Sequence, residues 1–452
     1  MTAAPKFPAL NTPSARLAVR GDLLDFVADP GLGTATATRG AAPSCVRFRP
    51  DHWLYIEHGR IVGAQAAGTT PDASWQRVDC SGQLVLPGFI DTHVHAPQLD
   101  VIASYGTELL DWLNTYTFPA EARHADPVVA QAGAERFLDA LLAAGTTSAA
   151  VFPTVHATSV EALFTSAQAR GMRIIAGKVL MDRHAPDNLR DDVAGAERVC
   201  IDQIERWHGQ GRIAYAVTPR FAATSTPEQL AMAGRLCATH PGVYMQTHVA
   251  ENRAEIAWTA ELFPQARSYL DVYEQAGLLH GRAILAHGIW LDDVDRARMH
   301  ATGAQLAFCP SSNLFLGSGL FDWQAATDAG IAVSVASDVG GGTSLSMLRT
   351  LADAYKVQAM RGVRLSAWKA LHTATLGAAQ ALGLDAEIGR LEPGCLADLA
   401  VWDWAAGPVA RHRDTVARDL HERLFAWLTL GDERNLAASF VAGVLRYARQ
   451  TV

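Results

Sequence analysis

Between residues 84 and 338 the chain alternates short runs that are apolar almost throughout with longer stretches whose apolar positions recur every three or four residues. Runs with no polar side suit a parallel sheet covered on both faces, and the longer period marks helices with one buried stripe. Strands are expected at 84–93, 146–152, 173–179, 213–218, 243–248, 283–287, 305–309 and 333–338. Amphipathic helices fall between them, for example at 128–144, 159–170, 228–239 and 291–302. Eight strand–helix units in succession predict an α/β fold, a (β/α)8 TIM-like barrel, placed at residues 87–384.

Outside that stretch the pattern turns to strands. Residues 54–63 read as two strands around a tight turn at His58-Gly59. Residues 397–402 and 438–447 are strand-like too, the second with a turn at Ala442-Gly443. Segments 14–86 and 385–452 are therefore expected to pair into one composite β-sandwich domain made from both chain ends, with residues 1–13 a loose tail.

Composition narrows the class. Of 452 residues 49% are hydrophobic and 19% charged, enough for a large core. A net charge of −8 with no basic stripe argues against nucleic acid or anionic lipid as partner. No run is long enough to span a membrane, and the first residues lack the apolar core of a signal peptide. The six cysteines contain no Cys-x-x-Cys pair, as expected of reduced thiols in a soluble cytoplasmic protein.

Candidate chemistry gathers at the strand ends. His93 and His95 stand two residues apart on an extended run, so both imidazoles reach the same side. His248, His287 and Asp338 each close another apolar run, where barrels of this kind carry their catalytic groups. Each alone reads as well as a satisfied buried polar residue; together they predict a metal site. His93, His95, His248 and Asp338 are the expected ligands, with His287 either a further ligand or a group bonding the bound water. Imidazoles with one carboxylate suit Zn2+ or Fe2+, whereas Mg2+ and Ca2+ want more oxygen. Glu251, three residues past His248, reads as a proton shuttle over the metal or as an N-cap or first-turn residue of the following helix. Lys178 reads as an internal ion-pairing residue rather than a bridge between two metals. Asn313 either orients substrate or forms an Asx turn, and His156, His184 and His240 match no ligand spacing.

The run Pro87-Gly88-Phe89-Ile90-Asp91-Thr92-His93-Val94-His95, followed by His248, His287 and Asp338, resembles the metal-dependent amidohydrolase superfamily over most of the chain. A narrower resemblance, to the guanine deaminases, rests on Ala96-Pro97-Gln98 and on the loop from Leu109 to Glu121. It rests also on Thr218-Pro219-Arg220-Phe221, His248-Val249-Ala250-Glu251-Asn252 and Ser337-Asp338-Val339-Gly340-Gly341-Gly342.

That resemblance implies hydrolytic deamination of guanine to xanthine and ammonia by a zinc-activated water, in purine catabolism or salvage. It implies one zinc per subunit, Fe2+ being the alternative, and a homodimer. Glu251, Asp338 and His287 would be catalytic. The substrate contacts would be Gln98, Trp112, Leu113, Arg220, Phe221 and Glu251. Arg reads the O6/N7 edge of guanine, Gln meets a ring amide without net charge, and Phe221 and Trp112 offer flat faces. Arg220 reads equally as a salt-bridging residue and Trp112 as lid packing. Two other functions compete: deamination or dechlorination of another amino-heterocycle (8-oxoguanine, a pterin, a triazine), and a non-catalytic oligomeric scaffold, which would be expected to have lost ligands.

Overall fold

The computed structural model describes residues 16–33, 42–106 and 109–450, so the expected tail at 1–13 lies outside the described residues. Two sheets organise the chain. The first contains β1 (Arg16–Phe26), β2 (Val46–Glu57), β3 (Arg60–Ala66) and β4 (Gln76–Pro87). The second is built from β5 (Phe89–His95), β6 (Thr146–Phe152), β7 (Arg173–Ala176), β8 (Val179–Leu180), β9 (Ile213–Pro219), β10 (Tyr244–Val249), β11 (Ala283–His287), β12 (Gln305–Phe308) and β13 (Val333–Val335). The chain then returns to the first sheet with β14 (Leu399–Trp402), β15 (Leu436–Val441) and β16 (Val444–Ala448).

The first sheet runs β16-β15-β14-β4-β1-β2-β3, so β14 from one end of the chain pairs directly with β4 from the other. Alternation divides its side chains between two cores. Val85 packs with Leu17, Val19 and Leu399 on one face, while its neighbours Leu84 and Leu86 join the core that surrounds the barrel. The expected composite domain is thus a single mixed sheet. Both expected hairpin turns form, with φ of +48° and +78° at His58-Gly59 and +46° and +74° at Ala442-Gly443. Positive φ at both central residues matches the right-handed twist of the flanking strands. The two tips meet: a Cβ on Gly59 would come 2.7 Å from the carbonyl oxygen of Ala442.

In the barrel β5, β6, β7, β9, β10, β11, β12 and β13 pair in that order, all parallel, with β8 beside β9. The ring is completed past β13, where the N–H of Asp338 donates to the carbonyl of His93 (2.9 Å) and that of His95 to Val339 (2.8 Å). Inward-facing Ile90, Ala150, Ile175, Ala216, Ile284 and Ala307 fill the interior below the site.

The expected helices form as Pro127–Ala143, Ala157–Arg170, Pro227–Thr239 and Asp293–Thr302. Two begin with proline at the first helical position, behind Asp126 and Thr226 caps that accept from Val128 and Gln229. No described helix is long and apolar enough to cross a membrane.

Three strand expectations are corrected. The run 84–93 is two strands in two sheets, broken at Gly88, where a Cβ would lie 2.2 Å from Oγ1 of Thr147; β5 then continues to His95. The run 173–179 splits at Gly177-Lys178 into β7 and β8. The last strand ends at Val335; the N–H of Ala336 still donates to Phe308 (2.9 Å), and Asp338 beyond it adopts a left-handed backbone (φ +50°).

Candidate active site

Four ligand-type side chains converge at the C-terminal mouth of the barrel. Nε2 of His95 lies 3.2 Å from Nε2 of His93 and 3.2 Å from Nε2 of His248. Oδ1 of Asp338 stands 3.1 Å from His93 and 3.3 Å from His95. Bonds of about 2.0 Å meeting tetrahedrally at a cation set their donor atoms about 3.3 Å apart.

The hydrogen-bond pattern supports this fit. Nδ1 of His248 is 2.7 Å from the carbonyl oxygen of Arg220. A carbonyl only accepts, so Nδ1 carries the hydrogen and Nε2 offers its lone pair to the cluster. Burial pushes His95 down to about 4, against the opposing pull of Asp338, and holds His248 well below its usual value. Burial draws Asp338 upward, yet His93 and its neighbours keep that carboxyl well below the usual range. Neutral imidazole lone pairs and one carboxylate packed this closely fit a divalent transition-metal ion.

His287 completes the ring of imidazoles from β11. Its Nε2 faces Oε2 of Glu251 at 3.4 Å and Oδ2 of Asp338 at 3.7 Å, while Nδ1 is 2.8 Å from Oδ1 of Asn313. His287 and Asp338 both hold positive φ, +70° and +50°. Such strained backbone persists only where surrounding contacts over-determine it. The thiol of Cys309 belongs to the same neighbourhood, its sulfur within 4.8 Å of ligand atoms on His93, His287 and Asp338.

Glu251 has a setting of its own. Asn252, not Glu251, caps helix Arg253–Leu262, and Glu255 closes the capping box. Glu255 also accepts the N–H of Glu251 at 3.1 Å and a hydrogen bond from Tyr269 at 2.5 Å. That leaves the Glu251 side chain free to face the cavity, with Oε1 accepting from Ser318 at 2.8 Å. Burial and the nearby Asp338 push its carboxyl up to about 8.

The remaining wall is both apolar and polar. Leu109, Trp112, Leu113 and Phe221 line the cavity together with Gln98 and Arg220. Trp112 and Leu113 come from the insertion between β5 and helix Pro127–Ala143. Arg220 follows β9 and makes a buried ion pair, Nη1 to Oε2 of Glu121 at 2.6 Å. Nε2 of Gln98 donates to the other oxygen of Glu121 at 3.1 Å, and Oε1 of Gln98 accepts the N–H of Gly340 at 3.1 Å.

Every side chain singled out in the sequence as ligand, catalyst or substrate contact is therefore in or beside one cavity. Lys178 is not. It pairs with Asp191 at 2.5 Å, in the break between β7 and β8. His156 precedes helix Ala157–Arg170, and His240 follows helix Pro227–Thr239. Glu121, Glu255, Ser318 and Cys309 were not singled out. The spacing Asn252-x-x-Glu255 is the only one of their signals that is local in sequence.

The comparisons with known proteins agree with this geometry. Residues 84–445 match the model of the amidohydrolase family. A guanine deaminase of Escherichia coli (strain K12) is 45% identical over 410 residues, 90% of this chain and 93% of that protein. The solved structure of an E. coli guanine deaminase superposes with a TM-score of 0.90 at 41% identity, covering 96% of this chain and 99% of that one. A guanine deaminase from C. acetobutylicum, solved with guanine bound in its active site, gives 0.84 at 26% identity, covering 95% and 99%. The chain belongs to the amidohydrolase family and, within it, to the guanine deaminases.

Proposed function

We propose that the chain hydrolyses guanine to xanthine and ammonia, with one zinc ion held by His93, His95, His248 and Asp338. One observation carries the reading: a buried Glu251 faces His287 in the same cavity as Asp338 and the donors Arg220 and Gln98. When bound, the metal would supply Lewis acidity toward a water oxygen.

The protein's own groups account for the proton movements. Asp338 accepts one proton from the attacking water as its oxygen bonds to C2, and Glu251 gives its proton to the adjacent ring nitrogen. His287, its Nδ1 hydrogen held by Asn313, accepts a hydrogen bond through Nε2 from the hydroxyl of the tetrahedral centre. Asp338 then passes its proton to the departing amine while Glu251 takes the remaining hydroxyl proton. This leaves a C2 carbonyl and restores both carboxyls. Trp112, Leu113 and Phe221 exclude water and fix the plane of the base.

The six cysteines, all among the described residues, form no disulfide with one another, which supports a reducing, cytoplasmic setting. The resemblance to guanine deaminases supports a homodimer, which sedimentation would check. The test of the activity is the ultraviolet spectrum of guanine incubated with the purified protein. Conversion to xanthine with release of ammonia supports the reading. Unchanged guanine in the presence of bound metal would redirect it to another amino-heterocycle.

A further inference from the structure

Glu121 has no place in the reaction, yet it touches two of the groups that face the ligand. Its side chain is fully buried and does not line the cavity. One carboxylate oxygen accepts from Arg220 at 2.6 Å and the other from Nε2 of Gln98 at 3.1 Å. The helix that carries it, Phe118–Ala122, also sets the ring of Phe118 5.3 Å from the Arg220 guanidinium.

These contacts fix the polarity of the wall. A carboxylate only accepts and a backbone N–H only donates. Turning the Gln98 amide over would set its oxygen against Glu121 and its NH2 against the N–H of Gly340. The amide is therefore held in one orientation. The guanidinium of Arg220 can only donate, and its charge is balanced by Glu121 rather than by a ligand.

We propose that Glu121 is a positioning residue that sets specificity. By locking Arg220 and Gln98 as a donor face, it selects a heterocycle with hydrogen-bond acceptors along that edge and rejects one carrying an amino group there. The proposal rests on the guanine reading. Guanine offers O6 and N7 as acceptors. 2,6-Diaminopurine keeps the 2-amino group but sets a donor at C6, and 2-aminopurine has only a C–H there.

The test is turnover of the three bases by the zinc-loaded full chain, before and after Glu121→Gln. The unaltered chain should prefer guanine, with 2-aminopurine slower and 2,6-diaminopurine slowest. In Glu121→Gln, KM for guanine should rise about tenfold or more with a smaller change in kcat, and the preference for guanine over 2,6-diaminopurine should fall about tenfold or more. A loss of packing alone would lower the active fraction without moving that preference. An unchanged KM and preference in the folded variant overturns the proposal. So does an unaltered chain that accepts 2,6-diaminopurine as readily as 2-aminopurine, a result that stands even where the variant does not fold. If none of the three bases is turned over, the deamination reading fails, and calorimetry then decides the donor face separately. Tighter binding of guanine than of 2,6-diaminopurine supports it, and the reverse order overturns it.

Discussion

Nδ1 of His287 lies 2.8 Å from Oδ1 of Asn313, a carbonyl-type oxygen that can only accept. The hydrogen of the imidazole is thereby placed on Nδ1, and Nε2 turns its lone pair toward Glu251 and Asp338. Asn313→Leu removes that acceptor at similar size. The expected result is a fall in kcat of about 10- to 100-fold, with KM changing less. Steady-state kinetics check this, and an unaltered kcat would show that His287 needs no partner.

Glu251→Gln keeps the shape of the side chain and its contact with Ser318 but removes the titrating proton. Turnover should fall about 10²- to 10⁴-fold. Guanine binding by calorimetry and metal content should stay close to those of the unaltered chain. Retained turnover would take Glu251 out of the mechanism.

Arg220→Ala should affect both binding and folding. It removes a donor from the cavity and leaves Glu121 buried without its counter-charge. Breaking such a pair costs about 3–5 kcal/mol. KM for guanine should rise steeply while the urea midpoint drops. An unchanged KM would move base recognition elsewhere.

Gly59→Ala tests the junction of the two chain ends. The position holds φ +78°, and an added Cβ would press on Ala442 of the facing hairpin. A loss of about 1–2 kcal/mol is expected, seen as a lower melting temperature, with kcat of the folded fraction unaffected. A stability equal to that of the unaltered chain would mean that the two hairpin tips part without cost.

Much of this architecture is legible in the sequence because it repeats locally. A run such as Ala283 to His287, apolar up to its last residue, announces both a buried strand and the group at its mouth. His58-Gly59 and Ala442-Gly443 name their turns because few residues tolerate positive φ. What the pattern hides is made by contacts between distant segments. Glu121 meets Arg220 ninety-nine positions along the chain, and Ser318 meets Glu251 sixty-seven positions away. Neither pair leaves a trace in periodicity. The break at Gly88 is hidden for a related reason: the apolar run from Leu84 onward continues through it, though the strands on either side belong to different sheets.

The most direct test of the central claim is a titration of metal-stripped protein with zinc, following xanthine formation from guanine in the same samples. The convergence of His93, His95, His248 and Asp338 predicts negligible turnover without metal and a linear rise that breaks at one zinc per chain. Full turnover by protein shown to be free of metal, or bound zinc that restores none, would contradict it.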